Sequence, residues 1–232
     1  MSHDEPESGR DQQLSSRCDR ACAALIEERW RRAHGLALRI GRGMPGVVER
    51  PGRTRFDLEW LPAERSFRGP LRARWPWLPL VDGSFGLVIL DRLAIADETS
   101  CIQLLEEAVR VLADDGRLLV VDTDPWGWIG LRARLSGKRG ALSAGCQRNL
   151  MLRAGLEEVE IQGALNWPPL PQRVIERHGD LIDRLGSRAW PFPASLYTVC
   201  GRKRSSNVIA IPLTHDRRHG LVAAPEGMRR AG

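Results

Sequence analysis

The stretch Leu78-Pro-Leu-Val-Asp-Gly-Ser-Phe-Gly-Leu-Val-Ile-Leu90 decides the fold of this chain. It contains an Asp-Gly turn and then a continuous apolar run at residues 87–90, which is typical of a strand buried on both faces of a parallel sheet. A second run of the same kind, Leu-Leu-Val-Val at residues 118–121, follows further along the chain. The two runs therefore predict two neighbouring strands of one sheet.

The residues between these two runs predict a helix. Ser100 followed by Gln103 is typical of a capping box at its start, and the Asp-Asp-Gly sequence ending at Gly116 predicts its end, with Gly116 as a left-handed cap. Strand, helix and strand together predict a βαβ unit with a right-handed connection and parallel strands. The apolar face of the helix is formed by Ile102, Leu105, Val109 and Leu112.

Weaker patterns extend the prediction to both sides of this unit. Apolar residues at helical spacing predict a helix over residues 18–32, and alternation predicts a short strand over residues 55–60. Residues 174–185 are amphipathic and predict another helix, and residues 195–200 predict a last strand. The chain is therefore predicted to be an α/β protein.

The distribution of charge predicts the boundaries of the domain. Residues 1–17 are polar and predict a disordered N-terminal segment, followed by one domain over residues 18–204. Residues 205–232 are predicted to form a basic, flexible tail, because residues 201–232 carry +5 of the total net charge of +6. Such a tail can contact nucleic acid or acidic lipid, but a solvated, mobile end is favoured because no aromatic residues interleave the charges.

Composition excludes several classes of protein. The chain is 42% hydrophobic and 28% charged, which excludes a mostly disordered, collagen-like or disulfide-stapled chain. No apolar run is long enough to predict a membrane span, and the N-terminus lacks the pattern of a signal peptide. The five cysteines and five histidines have no spacing that predicts a metal site. We expect a cytoplasmic protein with free thiols and no metal.

Candidate ligand residues lie where strands are predicted to end, because ligands of open α/β sheets bind at the carboxyl ends of the strands. Gly41, Gly43 and Gly46 fit a GxGxxG pattern, which allows a backbone to approach a nucleotide-like ligand but also occurs in plain turns. Asp91 directly follows a predicted strand, where a carboxylate can bind a ligand or cap a turn. The Trp126 side chain can line a ligand pocket or pack against other side chains of the protein.

The middle of the chain resembles class I S-adenosylmethionine-dependent methyltransferases, in particular the small type 11 or UbiE-like group. The segment at residues 78–90 is similar to the family's LPF-x-DGSFD segment at the fourth strand, and residues 104–121 resemble its E-x-x-R-V-L-x-P-G-G-x-L segment. Residues 124–132 resemble the N-P-x-S-x-x-G-L-R stretch of one bacterial subgroup. The match is good over residues 70–135, fair to 204 and poor before 70.

This resemblance implies a Rossmann-like methyltransferase fold with a mostly parallel sheet and an antiparallel last strand. The short N-terminal half leaves open a sheet reduced at that end. The implied function is methyl transfer from S-adenosylmethionine to an unidentified acceptor, expected to be a small molecule. The residues expected to contact the cofactor are Gly41, Gly43, Glu59, Trp77 and Asp91, and those expected toward the acceptor are Trp126 and Trp128.

The first motif of the family is degenerate in this chain. Ile40 precedes Gly41 without the family's acidic residue, Arg74 stands at the family's adenine-side aspartate, and Gly86 replaces the aspartate after the Ser-Phe pair. Asp57 and Glu59 are the nearest options for the carboxylate that holds the ribose. These departures favour an alternative hypothesis, a catalytically inactive methyltransferase-like protein that binds or regulates.

Overall fold

Nine strands form one sheet in the part of the chain that the computed structural model describes, residues 5–137, 141–164 and 194–204. In chain order the elements are α1 (Glu5–Arg32), β1 (Gly35–Gly41), β2 (Gly46–Arg50), β3 (Arg53–Leu61), β4 (Ser66–Arg68), β5 (Ala73–Arg74), β6 (Phe85–Asp91), α2 (Glu98–Val111), β7 (Leu112–Thr123), α3 (Trp128–Leu135), α4 (Ala144–Arg153), β8 (Leu156–Ala164) and β9 (Leu196–Lys203).

The strands follow the order β5-β4-β3-β1-β6-β7-β9-β8, and β2 pairs with β3. Strands β3, β1, β6 and β7 are parallel to one another, whereas β9 is antiparallel to β7. The predicted α/β fold, a mostly parallel sheet with an antiparallel last strand, is therefore confirmed.

The predicted βαβ unit forms as β6, α2 and β7, but both ends of its helix differ from the prediction. The N-cap of α2 is Asp97 and not Ser100, because the Asp97 carboxylate accepts a hydrogen bond from the backbone N–H of Ser100 at 2.7 Å. At its other end, α2 is capped by Leu112, whose φ of −74° is not left-handed, so the predicted left-handed cap at Gly116 is wrong. The left-handed residue beyond the helix is Asp115, with φ of 60°, and aspartate tolerates this conformation better than most residues.

Helices cover the sheet on both faces. α2 and α4 pack on one face, and α1 covers the other with Cys18, Cys22, Ile26 and Trp30, each at most 7% exposed. The helix predicted from Cys18 begins at Glu5, so residues 5–17, which the sequence predicts to be disordered, lie in α1.

The connection from β1 to β3 contains a strand where nucleotide-binding α/β folds have a helix. After Gly41 the chain turns and enters β2, which runs antiparallel to β3 on its outer edge. In nucleotide-binding α/β folds the glycine-rich turn leads into a helix whose N-terminus faces the ligand. No such helix follows the glycine turn within residues 42–52, but the sheet itself is not reduced at its N-terminal end, because β2, β4 and β5 extend it beyond β3.

Two predictions fall outside the described residues, namely the helix at 174–185 and the basic tail at 205–232. Within the described ranges, no helix combines the length and the apolar character needed to cross a membrane.

Candidate active site at the carboxyl edge of the sheet

Gly41, Glu59 and Asp91 share one level of the sheet. Gly41 is the last residue of β1, and in the strand register it pairs with Glu59 of β3 on one side and with Asp91 of β6 on the other. Since β3, β1 and β6 are parallel, this level lies at the carboxyl edge of the sheet, where such folds bind ligands. We call these residues the Gly41 rung. The structure therefore brings together three of the predicted cofactor residues.

The glycine turn has a structural requirement of its own. A Cβ atom at Gly41 would lie 2.5 Å from the carbonyl oxygen of Asp91, so this position accepts only glycine without a backbone shift. Gly43 has a φ of +126°, which side chains rarely allow, whereas a Cβ atom at Gly46 would meet nothing within 4 Å. The protein's own packing and backbone conformation therefore account for the glycines at positions 41 and 43, without any role in binding a ligand.

Arg39 fills the space beside this turn. It lies two residues before Gly41 on the same face of β1, and its Nη2 donates to Asp91 Oδ2 at 2.5 Å and to the Arg42 carbonyl at 2.8 Å. Its Nη1 lies 3.8 Å from Asp57 Oδ2. A cation of the protein itself therefore bridges two carboxylates directly beneath the Gly41 rung.

A second arginine ties helix α1 to the same edge. Arg92 Nε donates to Asp91 Oδ1 at 2.8 Å, and Arg92 Nη1 pairs with Asp19 of α1. Asp91 is fully buried, so its charge is stabilised only if such partners surround it. Its carboxylate is already bound by two guanidinium groups, which makes Asp91 a positioning residue for the rung.

Glu59 differs from Asp91 in its interactions. It is half-buried at the end of β3, and among the described residues it makes no ion pair. A carboxylate in this position can accept hydrogen bonds from ligand hydroxyl groups.

The three predicted tryptophans are not equivalent. Trp126 and Trp128 follow the carboxyl end of β7, and both are well exposed, with the Arg134 guanidinium 4.6 Å from the ring centroid of Trp126. Trp77 precedes Leu78, whose backbone N–H donates to Glu107 near the end of α2. Because α2 runs back toward the amino ends of the strands, Trp77 lies away from the Gly41 rung.

Arg74 does not reach the Gly41 rung either. It lies in β5, at the outer end of the strand order and three strands away from β1.

Asp122 adds a titratable group to this edge. It lies in β7 one residue beyond Val121, the register partner of Asp91, and it is 8% exposed. Burial raises the pKa of its carboxyl to about 6, although the backbone N–H groups of Thr123 and Ala94 donate to it and oppose the rise. The carboxylate is therefore able to take up a proton just below neutral pH.

Replacing Asp122 by Asn should change the pH dependence of stability. A carboxyl with a raised pKa in the folded state destabilises the protein as pH rises from its unfolded pKa toward 6, and a shift of this size amounts to about 3 kcal/mol. We expect the free energy of unfolding of Asp122→Asn, relative to wild type, to rise by about 2–3 kcal/mol between pH 4 and pH 7. Urea titrations at a series of pH values measure it, and a constant difference would contradict a raised pKa.

No metal site is apparent in the described part of the chain. There, no three His, Cys, Asp or Glu side chains are grouped as metal ligands would be, and the five cysteines are free thiols.

Sequence reasoning missed Arg39, although a signal existed. Residues 36–40 read Leu-Ala-Leu-Arg-Ile, so a single charge interrupts an apolar strand. A charge in such a strand needs a partner, and the carboxylates at the ends of the predicted neighbouring strands were available to provide it.

No protein-family model matches this chain, and no curated protein matches it. Among solved structures, a SAM-dependent methyltransferase from Archaeoglobus fulgidus is 12% identical, with a TM-score of 0.53 over 80% of this chain and 94% of that chain. A SAM-dependent methyltransferase from Thermotoga maritima is 17% identical, with a TM-score of 0.45 over 74% of this chain and 83% of that chain. The Archaeoglobus fulgidus methyltransferase therefore shares the fold of this chain.

Proposed function

We propose that this protein is an S-adenosylmethionine-dependent methyltransferase that acts on a small-molecule acceptor and binds the cofactor at the Gly41 rung. The observation that carries the proposal is the position of Glu59, a carboxylate without an ion-pair partner among the described residues, next to Gly41 at the carboxyl edge of a methyltransferase-type sheet. Cytoplasmic location and the type 11 or UbiE-like subgroup remain part of this proposal.

The residues at the edge fit the cofactor in part. Glu59 would accept hydrogen bonds from the ribose hydroxyls. Gly43 leaves backbone exposed for close approach, but the Arg39 guanidinium lies only 3.5 Å from where a Cβ atom of Gly43 would be. Arg39 already occupies the carboxylate of Asp91, so Asp91 would act by holding the edge in shape. Trp126 and Trp128 would pack against the acceptor.

When bound, the cofactor supplies a methyl group on a sulfonium, which is a good leaving group. The protein therefore has little covalent chemistry to perform and contributes mainly by holding donor and acceptor in line, an effect worth about 7–11 kcal/mol. Glu59 and the glycine turn would fix the donor, and the two tryptophans would orient the acceptor and exclude water. An acceptor that must lose a proton would also need a base.

Titration with S-adenosylhomocysteine tests the proposal. At 100 times its Kd the ligand should raise the free energy of unfolding by about 2.7 kcal/mol, measured by thermal or chemical denaturation. Glu59→Gln should weaken the effect, whereas Glu49→Gln, an exposed carboxylate on the neighbouring β2, should leave it unchanged. Equal responses of the two variants would contradict a role for Glu59.

A second candidate function is a catalytically inactive, methyltransferase-like binding or regulatory protein. Arg39 favours it, because a resident cation bound to Asp91 and Asp57 occupies the edge next to the glycine turn. The missing helix after that turn favours it too. Failure of wild type to respond to millimolar S-adenosylmethionine or S-adenosylhomocysteine would support this second function over the first.

A further inference from the structure

A cavity of about 490 Å³ opens at the opposite edge of the sheet from the Gly41 rung. It lies at the amino end of β6, beside the residues 113–116 that bulge from β7 and under the last turn of α1. Along β6, Leu87 in its wall is four residues from Asp91, or about 13 Å. Its volume falls in the range of small-molecule sites, roughly 300–1,000 Å³.

The floor of this cavity is apolar. Leu87, Leu119 and Cys200 line it, and each is at most 7% exposed. These residues face α1 from three adjacent strands, β6, β7 and β9, so the floor is held by the sheet and does not depend on loops.

Arginine side chains also line the cavity. Arg29 of α1 and Arg117 of β7 both line the cavity, and both act on the Cys200 thiol, where burial and the charge of Glu160 raise the pKa and the two positive charges oppose the rise. The two guanidinium groups therefore both lie near the Cys200 thiol.

No ion pair joins Arg29 or Arg117 to a carboxylate within the part of the chain that the structure describes. Arg29 donates to the neutral side chain of Gln162 at 3.1 Å, and Arg117 hydrogen-bonds to Cys200. Two carboxylates, Asp114 and Asp115, also line the cavity, but Asp115 pairs with Arg202 at 3.3 Å. The cavity therefore combines an apolar floor with two arginines that form no ion pair among the described residues.

We propose that this cavity binds a small organic anion, with an oxyanion head on Arg29 and Arg117 and an apolar body over Leu87 and Leu119. Guanidinium groups bind carboxylates and phosphates through charge-assisted hydrogen bonds, and both head groups share this chemistry. The site is distinct from the proposed cofactor site, because it lies at the amino ends of the strands.

Calorimetric titration with octanoate and with octyl phosphate tests the proposal, and the tighter of the two identifies the head group. The full chain should bind at least one of them, and octanol, which has the same body without the charge, should bind at least about tenfold more weakly. The double variant Arg29→Gln/Arg117→Gln should weaken binding at least about tenfold. Arg31→Gln, an exposed arginine in the same turn of α1 that does not line the cavity, is the matched control and should bind as wild type does.

Three results would overturn the proposal: no binding of either anion at millimolar concentration, unchanged affinity in the double variant, or octanol binding as tightly as octanoate. Saturating S-adenosylhomocysteine should leave the affinity for the anion unchanged, whether or not it binds. Competition between them would place the anion at the Gly41 rung and would also overturn the proposal.

Discussion

Asp91→Asn is expected to lower the free energy of unfolding by about 3–5 kcal/mol, because it breaks a buried ion network. Asp91 is fully buried between Arg39 and Arg92, which approach its two oxygens at 2.5 and 2.8 Å. An asparagine keeps the shape but leaves two mostly buried guanidinium groups without their shared counter-charge. Chemical denaturation of the purified variant measures the change.

Asp115→Asn is the matched control. Asp115 is well exposed and pairs with Arg202 at 3.3 Å, so the same chemical change should cost less than about 1 kcal/mol. Adding Arg39→Met to Asp91→Asn should recover part of the loss, since it removes one of the two unpaired cations. Similar losses in Asp91→Asn and Asp115→Asn would show that the network contributes no special stability.

Because Asp91 stabilises the fold, ligand binding by variants at Asp91 and at Glu59 has to be interpreted differently. If an Asp91 variant no longer binds S-adenosylhomocysteine, the cause can be the loss of the ion pairs that hold the Gly41 rung in place. Such a result therefore says little about direct contact between Asp91 and the ligand. Glu59 has no ion pair among the described residues, and its substitution therefore reports on the ligand more directly.

Gly41→Ala is expected to destabilise the protein by about 2–3 kcal/mol through overpacking. The new methyl group would lie 2.5 Å from the carbonyl oxygen and 2.7 Å from the Cβ atom of Asp91. Both atoms belong to a neighbouring strand held in register with β1, so they cannot move without breaking the pairing that defines the Gly41 rung. Urea denaturation at neutral pH measures the loss.

Gly46→Ala provides the comparison within the same GxGxxG pattern. A methyl group there meets nothing within 4 Å, and we expect its free energy of unfolding to stay within about 0.5 kcal/mol of wild type. A comparable loss at both positions would mean that the turn needs glycine for its backbone and not for its packing against Asp91.

The sequence predicted those parts of the fold that depend on local pattern. The apolar runs in β6 and β7 and the helical spacing of α2 indicate their elements because a parallel strand is buried on both faces and a helix on one. Boundaries were less accurate, as Asp97 and Asp115 show, because neighbouring residues at a turn carry equivalent signals.

The candidate site was predictable in part for the same reason. Gly41 and Asp91 follow predicted strands, and the carboxyl ends of parallel strands meet at one edge, so their proximity follows from topology. The presence of a strand in place of a helix after Gly41 was not predictable, because residues 47–74 are weakly patterned.

By itself, the sequence determined that this chain builds a parallel α/β sheet with polar residues at the strand ends. The reason is that burial gives each strand or helix its own pattern of hydrophobic residues, and this pattern is visible within a single segment of the chain. Only the tertiary structure decided that Arg39 bridges Asp57 and Asp91, and that Arg29 and Arg117 line one cavity. Charges pair by distance in space, and the residues that approach one another come from segments that no local pattern connects.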